Sequence, residues 1–205
     1  MMPCYKSIDE RKHNLHEVIR LSGTDVSVGD NTETLTVKVA SIPDVRLQVY
    51  FMDHERYFER EDDSDASYLE QALFFNRSVL ETIRKLRWGP DLVHSFGSIS
   101  GLVPLLISTD YAEDDHLGTT KTVFTPGTNG ASETITDKAA TGLGLSLNGA
   151  EAPTMSETGL SYADSSVYPP DQSPTNGAEQ FTSDEEQRGA QLSSMYNQML
   201  SEVPA

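Results

Sequence analysis

Two short runs hold the residues best suited to chemistry. One is His94-Ser95-Phe96-Gly97-Ser98, where an imidazole and two hydroxyls stand between apolar stretches. Asp91-Leu92-Val93-His94 reads as a short strand, 95–98 as a turn and 99–109 as a helix. Ligands of an open parallel sheet bind outside the carboxyl ends of its strands. A helix start there offers unpaired backbone N–H groups to an anion or a sugar hydroxyl. His94, Ser95 and Gly97 are therefore candidate substrate-binding residues. The competing reading is a plain strand end whose histidine bonds to backbone. The other run, Asp53-His54-Glu55-Arg56-Tyr57-Phe58, follows a second strand. Asp53 can accept hydrogen bonds from substrate hydroxyls; a capped loop with solvated charges is the alternative.

Other patterns lack what their chemistry needs. Gly97-Ser98-Ile99-Ser100-Gly101 has isoleucine where a nucleophile elbow requires serine. Glu61-Asp62-Asp63 with Asp65 lacks calcium-loop spacing and its glycine. Asp110, Glu113, Asp114, Asp115 and His116 read as a solvated loop rather than a cation site. No apolar strand precedes Gly142 and Gly144, so they form no dinucleotide fingerprint. Cys4 is the single cysteine, which excludes an intrachain disulfide framework and a multi-cysteine zinc site. No catalytic residue, metal ligand set or cofactor is expected.

The elements that must position these runs follow from periodicity. Leu35, Val37 and Val39 alternate with polar residues, as do Leu47, Val49 and Phe51, predicting two strands joined at Pro43-Asp44. Residues 15–21 and 25–28 predict two weaker strands around Ser22-Gly23. Leu69, Ala72, Leu73, Val79, Leu80, Ile83 and Leu86 recur at helical spacing, with Arg84, Lys85 and Arg87 in the last turn. Gly89-Pro90 stops that helix, and 121–125 is another strand. Helix, strand, helix, strand is the unit of a parallel α/β sheet.

Composition changes after this. From 126 to 183, 28 of 58 residues are Gly, Pro, Ser or Thr and Lys138 is the one basic residue. Such a stretch buries little apolar surface to offset the entropy of ordering it, so 126–182 is expected to be polar loop or disorder, with a short strand or turn at 143–147. Residues 183–201 form a last helix. Ser183 and Glu186 fit a capping box, and Leu192, Met195, Tyr196, Met199 and Leu200 form an apolar packing stripe.

The 205 residues carry 15 Lys+Arg against 32 Asp+Glu, a net charge of −17. That balance disfavours nucleic acid and anionic lipid as partners. The first twenty residues are polar and charged, and the apolar run Leu102-Val103-Pro104-Leu105-Leu106-Ile107 is far short of the ~20 residues of a membrane span. A reduced cytoplasmic protein is the expectation.

Four runs between Asp9 and Thr125, preceded by Met2-Pro3 and Tyr5, resemble the N-terminal catalytic domain of bacterial glycogen/starch synthases. They are Asp9-Glu10-Arg11-Lys12-His13-Asn14-Leu15-His16-Glu17-Val18-Ile19-Arg20-Leu21-Ser22-Gly23; Val49-Tyr50-Phe51-Met52-Asp53 with Tyr57-Phe58; the passage from Val79 through Trp88-Gly89-Pro90-Asp91 to His94; and Gly101-Leu102-Val103-Pro104 with Lys121-Thr122-Val123-Phe124. The resemblance implies a Rossmann-like parallel-sheet half-domain of a GT-B glycosyltransferase over 1–125, followed by the largely irregular region. It implies glucosyl transfer from ADP-glucose to an α-1,4-glucan. It places Asp53, Tyr57, His94, Ser95 and Gly97 near sugar, and an α-glucan or nucleotide sugar as ligand. The family's opening strand and Lys-x-Gly-Gly donor loop would precede this chain's first residue, and its second domain finds no counterpart after Thr125. The family's His-x-His-Asp-Trp run reads His94-Ser95-Phe96-Gly97-Ser98, and its Asp-Asn-x-x-Arg run reads Ser67-Tyr68-Leu69-Glu70-Gln71. No turnover is therefore expected from the chain alone. The alternative is a non-catalytic protein that binds glucan or a full-length synthase, or regulates one.

Overall fold

The computed structural model describes residues 1–9, 12–13, 15–42, 47–59, 67–127, 134–147, 152–175 and 178–201. The chain forms two units, Met1–Leu86 with Lys138–Leu145, and Arg87–Asp137 with Ser146–Ala205.

The first unit is a mixed sheet with one long helix. Its strands are β1 (Met2–Pro3), β2 (His16–Val28), β3 (Asn31–Ile42) and β4 (Leu47–Asp53), in the order β1-β4-β3-β2. β2, β3 and β4 pair antiparallel, and β1 joins β4 in parallel. Alternation buries Leu35, Val37 and Val39 on one face of β3, as the period-2 pattern requires. The two weak strands expected at 15–28 are one continuous strand. Gly23 takes φ +77° at a register shift between Ser22 and Thr24, so a bulge absorbs the break in pattern. The turn expected at Pro43-Asp44 and the acidic run 61–65 lie outside the described residues.

Helix α1 (Tyr68–Lys85) buries Leu69, Ala72, Leu73, Phe74, Val79, Leu80 and Ile83. Ser67 Oγ accepts from the Glu70 N–H at 3.2 Å while Glu70 Oε2 accepts from the Ser67 N–H at 2.7 Å, a reciprocal cap that starts the helix. At its other end Lys85 Nζ donates to the carbonyls of Ser22 and Gly23 and to Thr24 Oγ1, at 3.3, 3.1 and 3.0 Å. The lysine thereby satisfies the carbonyls that the bulge frees.

The second unit is a parallel sheet covered on both faces. β5 (Leu92–Phe96) is followed by a 3₁₀ turn at Ser98–Ser100, α2 (Val103–Ser108) and β6 (Lys121–Thr125). The single helix expected over 99–109 is divided. Pro104 lies in the first turn of α2, where its missing N–H is tolerated and a new helix starts. Helix α3 (Asp137–Gly142) leads back to the first unit. Then come α4 (Met155–Tyr162), β7 (Ser165–Tyr168), β8 (Glu179–Gln180) and α5 (Glu185–Ser201). All neighbours in the order β5-β6-β7-β8 are parallel, as the helix–strand alternation predicted.

Within the stretch expected to be loop, α4 and β7 are ordered elements. Their anchors are polar or small, which is why hydrophobicity hid them. Thr154 and Glu157 form a second capping box. Gly159 brings α4 against the fully buried Phe124 ring. Asp164 Oδ2 accepts from the N–H and the hydroxyl of Thr122 at 2.8 and 2.9 Å, tying the start of β7 to β6. On the other face, α5 presents Leu192, Met195, Tyr196 and Met199 to Val123, Val167, Leu92 and Phe181, so its stripe is a packing face. The first bond of α5 comes from Asp184, whose carboxylate accepts from the Glu186 N–H at 3.0 Å, one residue later than the Ser183 cap expected from sequence.

Candidate functional site

His94, Ser95 and Gly97 lie together at the carboxyl end of β5. The strand's alternation sends the Ser95 side chain inward, where it is 6% exposed and its Oγ donates to the Val123 carbonyl at 3.3 Å. Gly97 takes φ +77°, a conformation that favours glycine. Its N–H bonds the Thr125 carbonyl at 2.9 Å and its carbonyl accepts from the Ser100 N–H at 3.1 Å. The strand therefore turns sharply into the 3₁₀ segment. Among the described residues, no atom beyond its chain neighbours lies within 4 Å of where a Gly97 Cβ would stand, while Gly127 packs against the Gly97 Cα.

His94 is engaged on all sides. Nε2 bonds Thr125 Oγ1 at 2.8 Å, and Nδ1 bonds the Tyr196 hydroxyl from α5. Phe96 stacks on the imidazole with ring centroids 4.0 Å apart at 23°, and Tyr196 meets it edge-on at 5.7 Å. Burial pulls the imidazole down from 6.5 to about 4, so at neutral pH it is uncharged, one nitrogen donating and the other accepting. Neither Thr125 nor Tyr196 was singled out from sequence as its partner. They stand 31 and 102 residues away, and only the fold brings them in.

The uncharged imidazole gives a signed pH dependence. Above pH 6.5 it is neutral in both folded and unfolded chains. As pH falls from 6.5 towards about 4, the unfolded chain takes a proton that the folded one refuses, so stability drops. Below that window both forms are protonated and the loss stops. A shift of this size is worth at most about 3 kcal/mol; because the ring is only partly buried, the expectation falls to about 1–2 kcal/mol. Urea unfolding of the wild type and His94→Gln at about pH 7.5 and about pH 4.5 checks it. The variant should lose about 1–2 kcal/mol less between the two conditions. Equal losses would show that the fold does not hold His94 neutral.

Asp53 and Tyr57 belong to the first unit. Asp53 ends β4, 9% exposed, and its Oδ2 pairs with Lys38 Nζ at 2.7 Å. Its Oδ1 and the neighbouring His54 Nδ1 are buried with no hydrogen-bond partner among the described residues. Tyr57 sits in a one-turn π-helix, Glu55–Glu59, 4% exposed. Its ring stacks on Phe74 at 4.4 Å and 17°, and burial pushes its hydroxyl up. Arg56 bonds Glu33 at 2.9 Å, so its charge is paired across to β3. The predicted site residues thus fall into two groups, one in each unit.

A cavity of about 370 Å³ opens at the amino end of β6, lined by Ser108, Thr120, Lys121, Thr122, Tyr162 and Asp164 among others. Its carboxylate is already committed to Thr122 and to Lys121 Nζ at 3.4 Å. Asp114, from the acidic loop 110–116, accepts from the His116 and Leu117 N–H groups. Among the described residues no group of three or more His, Cys, Asp or Glu is placed to hold a metal ion. No helix there is long and apolar enough to cross a membrane.

Similarity to known proteins fits this arrangement. The chain is 42% identical to a glycogen synthase of Chlorobium limicola over 133 residues, which cover 61% of this chain and 27% of that one. Over the same length it is 40% identical to a glycogen synthase of Pelodictyon phaeoclathratiforme. The match thus spans 27% of the length of these curated relatives. The fold is similar to the catalytic domain of Starch Synthase IV from Arabidopsis thaliana bound to ADP and acarbose, with a TM-score of 0.66, 14% identity, and coverage of 81% of this chain and 36% of that one. This likeness shows a Rossmann-like α/β fold of the GT-B type. The profile of the starch synthase catalytic domain matches residues 1–164, and the chain belongs to that family.

Proposed function

We propose that this domain recognises the α-1,4-glucan of the family reaction, in which glucose passes from ADP-glucose to the glucan, and that residues 1–205 alone do not carry out the transfer. The observation that carries the reading is the state of His94. Glucosyl transfer with retention develops positive charge on the sugar and negative charge on the departing phosphate. It needs polar groups aimed at both. Here the imidazole is uncharged at neutral pH and both its nitrogens are spent on Thr125 and Tyr196. Phe96 neither donates nor accepts a hydrogen bond. Neither 94–98 nor 125–127 contains a lysine or arginine. A net charge of −17 favours a neutral glucan over a phosphate-bearing donor. The acarbose bound in the Arabidopsis structure supports a sugar ligand.

Purified chain incubated with labelled ADP-glucose and glycogen should incorporate no glucose above a protein-free blank, yet should co-sediment with glycogen. Protein-dependent incorporation would overturn the inactive reading. Failure to co-sediment would overturn glucan recognition.

A further inference from the structure

We infer that helix α5 is a built-in lid that competes with the glucan: its Tyr196 hydroxyl holds His94 Nδ1 while the helix is docked and frees it when the helix lifts. This rests on the glucan recognition proposed above and concerns what regulates it.

The helix is lightly seated. Of its 17 residues only Met195 is buried. Met195 packs with Val123 and Val167, and Leu192, Tyr196 and Met199 lie half-buried around it. The other side-chain bonds of α5 run to its own lead-in. Gln191 Oε1 accepts from the Thr182 N–H at 3.0 Å, and Gln191 Nε2 donates to the Gln180 carbonyl at 2.8 Å. Arg188 Nε donates to the Thr182 carbonyl at 3.0 Å. Among the described residues, Tyr196 to His94 is the one hydrogen bond from α5 to β5, β6 or β7. The helix and its lead-in can therefore lift as one piece, losing a narrow apolar stripe and a single hydrogen bond. Segments with few buried contacts are the ones that open locally.

The two nitrogens of His94 differ in what a lifted helix leaves behind. Nε2 is bonded within the sheet, to Thr125 Oγ1 of β6 at 2.8 Å, and keeps that bond. Nδ1 is bonded to α5 and is released. Tyr196 offers it a hydroxyl carried on an apolar ring, which meets the imidazole edge-on at 5.7 Å. A pyranose likewise carries hydroxyls around an apolar face, and a hydroxyl of either can donate to or accept from an uncharged imidazole. Helix and sugar thus present the same chemistry to one atom and exclude each other there. Glucan then binds only the lifted fraction, and its apparent affinity falls in proportion to the time the helix is docked.

The test titrates the full chain and its Tyr196→Phe variant with maltoheptaose by calorimetry, and follows α5 amides by hydrogen exchange. The variant keeps the packing ring and loses only the hydroxyl. It should bind roughly three- to tenfold tighter than wild type. Saturating maltoheptaose should speed exchange at the α5 amides of the wild type. If the wild type binds but Tyr196→Phe binds no tighter, or the sugar leaves α5 protection unchanged, the lid is overturned while glucan recognition stands. Binding by Tyr196→Phe alone would show a lid shut in the wild type. If neither chain binds, both the lid and glucan recognition fall.

Discussion

Gly101→Ala should destabilise the second unit by roughly 3 kcal/mol or more. The cause is space rather than backbone conformation, since Gly101 has φ −66° and ψ −15°, which any residue adopts. A Cβ placed there would lie 2.1 Å from the Met155 carbonyl oxygen and 2.8 Å from its carbon. Both are backbone atoms, so no side-chain rotation relieves the contact. Met155 opens α4, and it is 1% exposed. To admit one methyl group, α4 would have to retreat from the 3₁₀ turn. The same helix carries Gly159, where an added Cβ would lie 2.8 Å from the Phe124 ring, so α4 is seated on two glycine contacts at once. Retreat would open a void beside Phe124 and strain the Asp164 bonds to Thr122. Urea unfolding followed through Trp88, the one tryptophan of the chain, reads the effect. Gly189→Ala is the control. It lies in α5, where an added Cβ would meet nothing within 4 Å beyond its own helix among the described residues, and should stabilise the helix by about 0.5–1 kcal/mol. A Gly101→Ala variant within about 0.5 kcal/mol of wild type would mean that α4 does not pack there.

What the sequence reveals depends on how local the cause is. Strands β3, β4 and β6 and helix α1 are readable because each presents a regular apolar stripe of its own. The helix α4 is not, because its seat is made by glycine, threonine and a buried ring 35 or so residues away in sequence. A local sign does exist. Thr154-Met155-Ser156-Glu157 has the same Thr/Ser-x-x-Glu form as Ser67-Tyr68-Leu69-Glu70, and both are capping boxes. Read as caps, they mark both helix starts without any hydrophobic run. The candidate site divides likewise. His94 and Gly97 are legible as a strand end and a turn. That His94 is neutral and fully bonded is not, because Thr125 and Tyr196 reach it only through strand pairing and the docking of α5. Asp53 is legible as a strand end, whereas its Lys38 partner depends on the register that sets Lys38 beside Phe51.

Phe74→Ala in the first unit should cost about 3–5 kcal/mol, a large share of the roughly 5–15 kcal/mol that holds a typical domain. Phe74 lies mid-helix in α1 and is fully buried. Its ring is the centre of an aromatic group, with Tyr57 at 4.4 Å, His54 at 4.8 Å and Phe58 at 5.9 Å. Tyr5 then meets Phe58 edge-on at 5.8 Å, which extends the group towards β1. Three of these rings come from 54–58, the segment after β4, so Phe74 is what fixes that segment to the helix. Removing the ring forfeits its buried area, leaves a cavity the helix cannot close, and loses ring–ring contacts worth about 0.5–1.5 kcal/mol each. Phe74→Leu keeps most of the volume and should cost about 1–2 kcal/mol. Native-state hydrogen exchange read at α1 and β4 amides distinguishes the local effect from a global one. The alanine variant should lose protection there first, with the segment 54–58 released. A loss below about 1 kcal/mol for Phe74→Ala would show that the rings are not packed as a group, and Tyr57 would then be free to turn outward as a ligand contact instead of serving the core.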